Sequence, residues 1–150
     1  MTTKQSTLNE SDRGFITAAA QGGMAEVKLS QLAENRAECK EVKDFGQRMI
    51  QDHKQANQEL MQMASQKGES PDAKLDAKHQ NLYERLSSLS GENFDREYIN
   101  AMVEDHEQVI SEFERETSYG NDQDLKTWAS MTLPTLREHL EMAQNISDQH

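Results

Sequence analysis

Two short segments of this sequence repeat three residue types at the same spacing. Residues 49–53 read MIQDH, and residues 102–106 read MVEDH. In each segment methionine precedes histidine by four residues, so on a helix these two side chains share a face, whereas the aspartate is turned away from it. Because the methionines fit the apolar spacing of their helices, His53 and His106 are expected on the faces that turn toward the core.

Two further polar side chains occupy positions where a core leucine would be expected. His139 lies between Leu136 and Ala143 on an apolar helix face, and Glu26 lies on the apolar face of the first helix. Polar groups left without partners in a small core cost about 1–3 kcal/mol each, so they either bond to one another or hold a cation. The sequence therefore predicts a mononuclear metal site formed by Glu26, His53, His106 and His139.

The predicted ligands favour some metals over others. Imidazoles with one carboxylate favour zinc, and they also suit iron or manganese when water fills further positions. Asp52 and Asp105 are candidates for carboxylates that orient the imidazoles. Met49 and Met102 add copper as a candidate, because thioethers are soft ligands. The alternative is structural: a histidine on such a face is usually a hydrogen-bonded core residue, and a methionine there usually packs.

Four long amphipathic helices must position these residues. Apolar spacing of three and four predicts helices over about 12–36, 38–66, 94–119 and 122–146, and a shorter one over about 75–89. Asp12 is the expected N-cap of the first helix. Pro134 is expected either to bend the fourth long helix or to mark a fresh helix capped by Thr132. The predicted fold is all-α, a ferritin-like four-helix bundle with a short extra helix between the second and third long helices.

Composition limits the domain count and the classes of partner. A chain of 150 residues with only two prolines fits one helical domain, predicted over 12–150 after a flexible tail over 1–11. The formal net charge of −11 opposes binding to nucleic acid or to an anionic membrane surface. No apolar run is long enough to insert into a membrane, and residues 1–14 lack the apolar core of a signal peptide. A soluble protein is expected, cytoplasmic unless an export signal has been removed, and a homo-oligomer is compatible with these features.

The order of several motifs resembles a known bacterial family. The segments GFITAAAQGGMAEVKLSQLA, DFGQRMIQDHKQANQEL, LSGENFDREYINAMVEDHEQVISEFE and LKTWASMTLPTLREHLEMA cover most of residues 12–143. They resemble the family called domain of unknown function forty-one forty-two, which implies a ferritin-like fold and, for many relatives, export to the periplasm or outer membrane. The positions that match the family motifs are Glu26, Asp52, His53, Asp95, Tyr98, Asp105, His106 and His139. This chain departs from the usual family layout because it has no signal peptide.

The spacing around the histidines disfavours a di-iron enzyme. Ferritin-like di-iron sites use Glu-x-x-His pairs, but Ile50, Val103 and Leu136 stand three residues before the three histidines. The nearest match to this motif is Asp76 with His79, on the short helix. The leading hypothesis is therefore a non-enzymatic metal-binding bundle for metal sequestration or tolerance of envelope stress. The alternatives are a metal-free stress-protective bundle and a metal-dependent oxidase or peroxide-consuming enzyme with Tyr98 near its site.

Overall fold

Five helices make up the described part of the fold. The computed structural model describes residues 8–72 and 74–149, so residues 1–7 of the predicted tail lie outside the described residues. The helices are α1 (Glu10–Arg36), α2 (Lys40–Gln66), α3 (Ala77–Ser87), α4 (Gly91–Tyr119) and α5 (Gln123–Gln149). The predicted four long helices and the short helix between the second and third are confirmed. Among the described residues, no helix combines the length and the apolar character that crossing a membrane requires.

The start of α1 differs from the prediction. The N-cap is Asn9 and not Asp12, because the Asn9 side chain accepts a hydrogen bond of 2.8 Å from the Asp12 backbone N–H. The Asp12 side chain is instead fully buried and accepts hydrogen bonds from the backbone N–H groups of Asn121 and Asp122, at 3.1 and 2.8 Å. Asp12 thus connects the beginning of α1 to the turn between α4 and α5.

Helix α5 continues through Pro134 without interruption. The expectation that a fresh helix begins near Thr132 is therefore wrong, since Thr132 lies inside α5. Its hydroxyl donates to the carbonyl of Trp128 one turn earlier, at 2.8 Å, and does not cap a helix. Proline removes one backbone donor, but the packing of a long apolar face can outweigh that loss.

Hydrogen bonds between helices define the topology of the bundle. Ser30, late in α1, shares a hydrogen bond of 2.6 Å with Tyr98, early in α4, so α1 and α4 are antiparallel. Lys67, just after α2, forms an ion pair of 2.6 Å with Asp124 at the start of α5, so α2 and α5 are antiparallel as well. The crossover from α2 to α4 must therefore run back along the bundle, and it carries α3 against α1 and α4.

Helices α1 and α2 approach closely at glycines. A Cβ atom added to Gly46 on α2 would lie 3.0 Å from the Cβ of Ala33 on α1. A Cβ atom added to Gly23 on α1 would lie 2.0 Å from the side-chain oxygen of Asn57 on α2. Because the side chain of glycine is a single hydrogen atom, α1 and α2 can pack closely at these positions. This contact fixes the heights of Glu26 and His53 relative to each other.

The core is divided into two apolar clusters. One lies at the end of the bundle where α1 and α5 begin, and includes Phe15, Phe113 and Trp128. The other lies at the opposite end, and includes Phe45 and Phe94. Along all four long helices, the residues between the two clusters include a buried polar side chain: Glu26, His53, His106 or His139. The predicted core positions of these four residues are therefore observed, and they form a polar layer at mid-bundle.

Candidate metal centre

Three histidines from three helices meet in the polar layer. The ring centroids of His53 on α2 and His106 on α4 are 5.8 Å apart, and His139 on α5 lies 5.3 and 5.4 Å from them. Each ring is at most 7% exposed, and one nitrogen of each lies within 4.8 Å of the corresponding nitrogens of the other two. Three imidazoles at this separation can converge on one ion after small rotations, because metal–nitrogen bonds are about 2.0–2.1 Å long.

Hydrogen bonds orient two of these rings. The Nδ1 atom of His106 lies 2.7 Å from the carbonyl oxygen of Met102, which can only accept, so Nδ1 carries the proton. The Nε2 atom of His139 lies 2.7 Å from a carboxylate oxygen of Asp52, and it donates to that oxygen. In the neutral rings, Nε2 of His106 and Nδ1 of His139 are left with their lone pairs free for a cation.

One nitrogen of each ring has no hydrogen-bond partner in the described part of the chain. Nε2 of His53, Nε2 of His106 and Nδ1 of His139 are buried without a hydrogen bond. Burial lowers the pKa of His53 well below its usual value and lowers that of His106 to about 4. Burial also lowers the pKa of His139, although the nearby Asp52 acts in the opposite direction. The three rings are therefore neutral at pH 7, which is the form that binds metal ions.

Asp52 is held in place by ion pairs that involve α2 and α5. Arg48, one turn earlier on α2, contacts Asp52 at 2.7 Å and Glu138 on α5 at 2.9 Å. The carboxylate of Asp52 therefore contacts a guanidinium and the imidazole of His139, and these contacts lower its pKa although partial burial opposes them. Asp52 orients the histidine of another helix and not His53, its neighbour in the sequence.

Glu26 lies in the polar layer but not in the histidine group. Its side chain is 2% exposed. Burial, and to a smaller extent the nearby carboxylate of Asp105, raise the pKa of Glu26 well above the usual value. One of its oxygens, Oε2, is buried without a hydrogen-bond partner in the described part of the chain. Of the four predicted ligands, the structure thus brings the three histidines together and places the Glu26 carboxyl beside Asp105.

Asp105 makes its contacts with α3 and α1. Its carboxylate accepts a hydrogen bond of 2.9 Å from Nε2 of His79, whose other nitrogen contacts Asp76. These carboxylates raise the pKa of His79. The sequence pattern identified His79 only as part of the Asp76 pair, and nothing in the spacing indicated that α3 would place it against Asp105.

Tyr98 and Asp95, which the sequence placed near the site, make contacts that hold helices and turns together. The buried hydroxyl of Tyr98 pairs with Ser30, and its ring stacks on Phe94 with centroids 5.4 Å apart. Asp95 accepts the backbone N–H groups of Glu38 and Cys39 at the turn between α1 and α2.

Met49 and Met102 are fully buried in the apolar cluster that includes Phe45 and Phe94. The contact between Met102 and His106 runs through the Met102 carbonyl oxygen. The thioethers of both methionines therefore contribute to core packing.

Two cavities adjoin the polar layer. An internal cavity of about 40 Å³ is lined by His53, His139 and Glu26, among other residues. A crevice of about 130 Å³ between α1, α3 and α4 is lined by Glu26, Asp105 and His79. The internal cavity is large enough for a cation with a water molecule, since a single water needs only about 10–15 Å³ by the same measure.

The fold is shared with solved structures of low sequence identity. A fragment of DUF305 from Deinococcus radiodurans matches with a TM-score of 0.84 and 12% identity, covering 95% of this chain and 99% of that one. CopM in its Cu(I)-bound and Cu(II)-bound forms matches with a TM-score of 0.78 and 17% identity, covering 92% of this chain and 96% of that one. These similarities establish a common bundle architecture.

The sequence comparisons identify the family. No match was found among curated proteins. The family model described as Domain of unknown function (DUF4142) matches residues 1–146, nearly the whole chain. Given that extent, the chain belongs to the DUF4142 family, as the motifs around its histidines predicted.

Proposed function

We propose that this protein binds one transition-metal cation through His53, His106 and His139 and that its function is to sequester the metal. The observation that carries the proposal is the meeting of three buried histidines, each of which offers one ring nitrogen within 4.8 Å of those of the other two. Each of them also has one buried ring nitrogen without a hydrogen-bond partner in the described part of the chain. Leaving three such groups unpaired costs several kcal/mol, on the basis of about 1–3 kcal/mol for each. A bound cation would offset that cost.

Copper is the first candidate metal, followed by zinc. Imidazole nitrogens suit both ions, and iron and manganese bind less strongly to such nitrogen sites. Similar bundles bind copper in the two CopM structures, which supports copper without establishing it here. The fourth coordination position would face the internal cavity, where water could fill it.

Sequestration is favoured over catalysis by the enclosure of the site. The three histidines are buried, and the internal cavity beside them is too small for an organic substrate. An oxidase or peroxide-consuming enzyme would need a residue that exchanges protons or electrons beside the metal. Tyr98, the candidate for that role, is held in the apolar cluster by Ser30 and Phe94.

Metal analysis of the purified protein tests this proposal. Untagged protein is loaded with copper or zinc, passed through a desalting column and analysed by mass spectrometry, and one metal ion per chain is expected. The variant His106→Gln keeps the size and polarity of the side chain but removes an imidazole, and should lose most of the metal. His79→Ala is the matched control and should retain it. Equal metal in the wild type and in His106→Gln would contradict the proposal.

The second candidate function is a metal-free structural role. It is favoured by the chain of contacts from Arg48 through Asp52 to His139, which joins α2 to α5 and would fix their register without any ion. In that case chelators and added copper would leave the melting temperature unchanged, because only a ligand that binds the folded state stabilises it.

A further inference from the structure

We propose that the cation reaches the histidines through the crevice between α1, α3 and α4, and that Glu26 and Asp105 form a carboxylate transit site on this route. This inference rests on the metal-binding function proposed above and adds the path and its residues. It concerns the rate at which metal enters, whereas the proposed function concerns the metal held at equilibrium. The two can therefore fail separately.

Among the residues that line both spaces, Glu26 is the buried one. It lines the crevice together with Asp105, Asp76 and His79, and it lines the internal cavity together with His53 and His139. A cation held by the Glu26 carboxylate is therefore one step from the histidine group.

The oxygens of Glu26 and Asp105 suit a passing cation. Glu26 is 2% and Asp105 is 4% exposed, and both carboxyl groups line the same crevice. The Oε2 atom of Glu26 is buried without a hydrogen bond, so it is available to a ligand.

His79 closes the outer end of the route. Its ring lies between Asp76 and Asp105 and hydrogen-bonds to both. Helix α3 carries this ring and has one buried residue, Leu86, so little core packing resists its displacement. Lys78, which also lines the crevice, contacts the other carboxylate oxygen of Asp105 at 3.7 Å. A cation that replaces the His79 and Lys78 contacts on Asp105 can move inward to Glu26.

The opposite side of the bundle has a larger opening, but its lining does not include the histidines. A cleft of about 690 Å³ between α2 and α5 includes Asp52, Glu59 and Asp124 in its lining. Asp52 is already paired with Arg48 and His139, and Asp124 with Lys67. Neither Glu26 nor any of the three histidines lines this cleft, so a cation held there would not adjoin the histidine group.

Stopped-flow loading of the metal-free protein with Cu(II) tests the route. Trp128, the only tryptophan in the sequence, lines the internal cavity, so its fluorescence reports arrival of the ion. Glu26→Gln and Asp105→Asn should each slow loading several-fold, because each replaces a carboxyl group that can bind the passing ion by an amide that binds it weakly. Both variants should still bind one Cu(II) per chain at equilibrium, and circular dichroism should confirm their helical content.

Two further variants make the result specific. Glu59→Gln removes one carboxylate from the cleft between α2 and α5, and should load at the wild-type rate. His79→Ala removes the ring at the outer end of the route, and should load at least as fast as the wild type.

The remaining outcomes would overturn the inference. If Glu26→Gln and Asp105→Asn load at the wild-type rate, the route is wrong while the histidine site stands. If Glu59→Gln alone is slow, the ion enters between α2 and α5. If Glu26→Gln loses Cu(II) at equilibrium, Glu26 is a ligand and not a transit group. If the wild type binds no Cu(II), the proposed function fails, and the route fails with it.

Discussion

At the scale of single residues, Asp52 decides which nitrogen of His139 is available. Its carboxylate accepts a hydrogen bond from Nε2, so the lone pair of Nδ1 is left free. Arg48 keeps the carboxylate ionised and in position. This role depends on the contact between α2 and α5, and the adjacency of Asp52 and His53 in the sequence does not reveal it.

Replacing Asp52 by Asn should weaken metal binding without removing a ligand. Loss of a carboxylate that orients a metal-bound histidine typically costs 10–100-fold in affinity, and a change of that size is expected here. Competition titration with a chromophoric chelator would measure it. Asp44→Asn is the control, because Asp44 is an exposed acid on the same helix, paired with Lys40. Equal affinities for both variants would contradict the orienting role.

At the scale of the helices, a cluster of acids joins α1, α4 and α5. Glu116 on α4 is 4% exposed, and its pKa is raised to about 8 by burial first and then by Asp12 and Asp122. The folded protein therefore holds a proton on Glu116 near neutral pH that the unfolded chain releases above about pH 4.3. As the pH rises from that value to about 8, this group progressively favours the unfolded state.

Glu116→Gln should consequently stabilise the protein at high pH. Glutamine is neutral at every pH, so the variant does not suffer the loss of stability that ionisation of Glu116 causes. At pH 8 its melting temperature should exceed that of the wild type by about 2–4 °C, the shift expected for roughly 1 kcal/mol in a chain of this size. Calorimetry at pH 5 and pH 8 would check this. If Glu116→Gln raises the melting temperature more at pH 5 than at pH 8, the expected direction of the pH dependence is wrong.

The helices were predictable from the sequence, whereas the contacts between them were not. The spacing of three and four placed His53, His106 and His139 on faces that are in fact buried. The partners of the polar residues depend on how far each helix is rotated and shifted against its neighbours, which a single sequence does not specify. For that reason the pairing of Glu26 with Asp105, and the arrival of His79 from α3, appear only in the structure.

At the scale of the whole molecule, the proposed cation would act as a stabilising ligand. It would connect α2, α4 and α5, each of which contributes one histidine. A ligand that binds only the folded state adds about 2.7 kcal/mol at a free concentration of 100 times its Kd. Large effects on unfolding are therefore expected from small amounts of metal.

Copper or zinc should accordingly raise the melting temperature in a way that a chelator reverses. At 100-fold excess over Kd, the rise should be on the order of 5–10 °C for a domain of this size. Differential scanning fluorimetry with and without metal would measure it, and His106→Gln serves as the control that should not respond. A rise of the same size in the variant would mean that the metal binds elsewhere.

The division of the core into two apolar clusters has a consequence for amide hydrogen exchange. Isolated helices usually fray at their ends and are best protected at their centres. Here the dry packing lies toward both ends, while the middle contains ionisable rings and a cavity. In the metal-free protein, amides near His53 and His106 should therefore exchange deuterium faster than those near Phe45 and Phe113, and loading the ion should slow them.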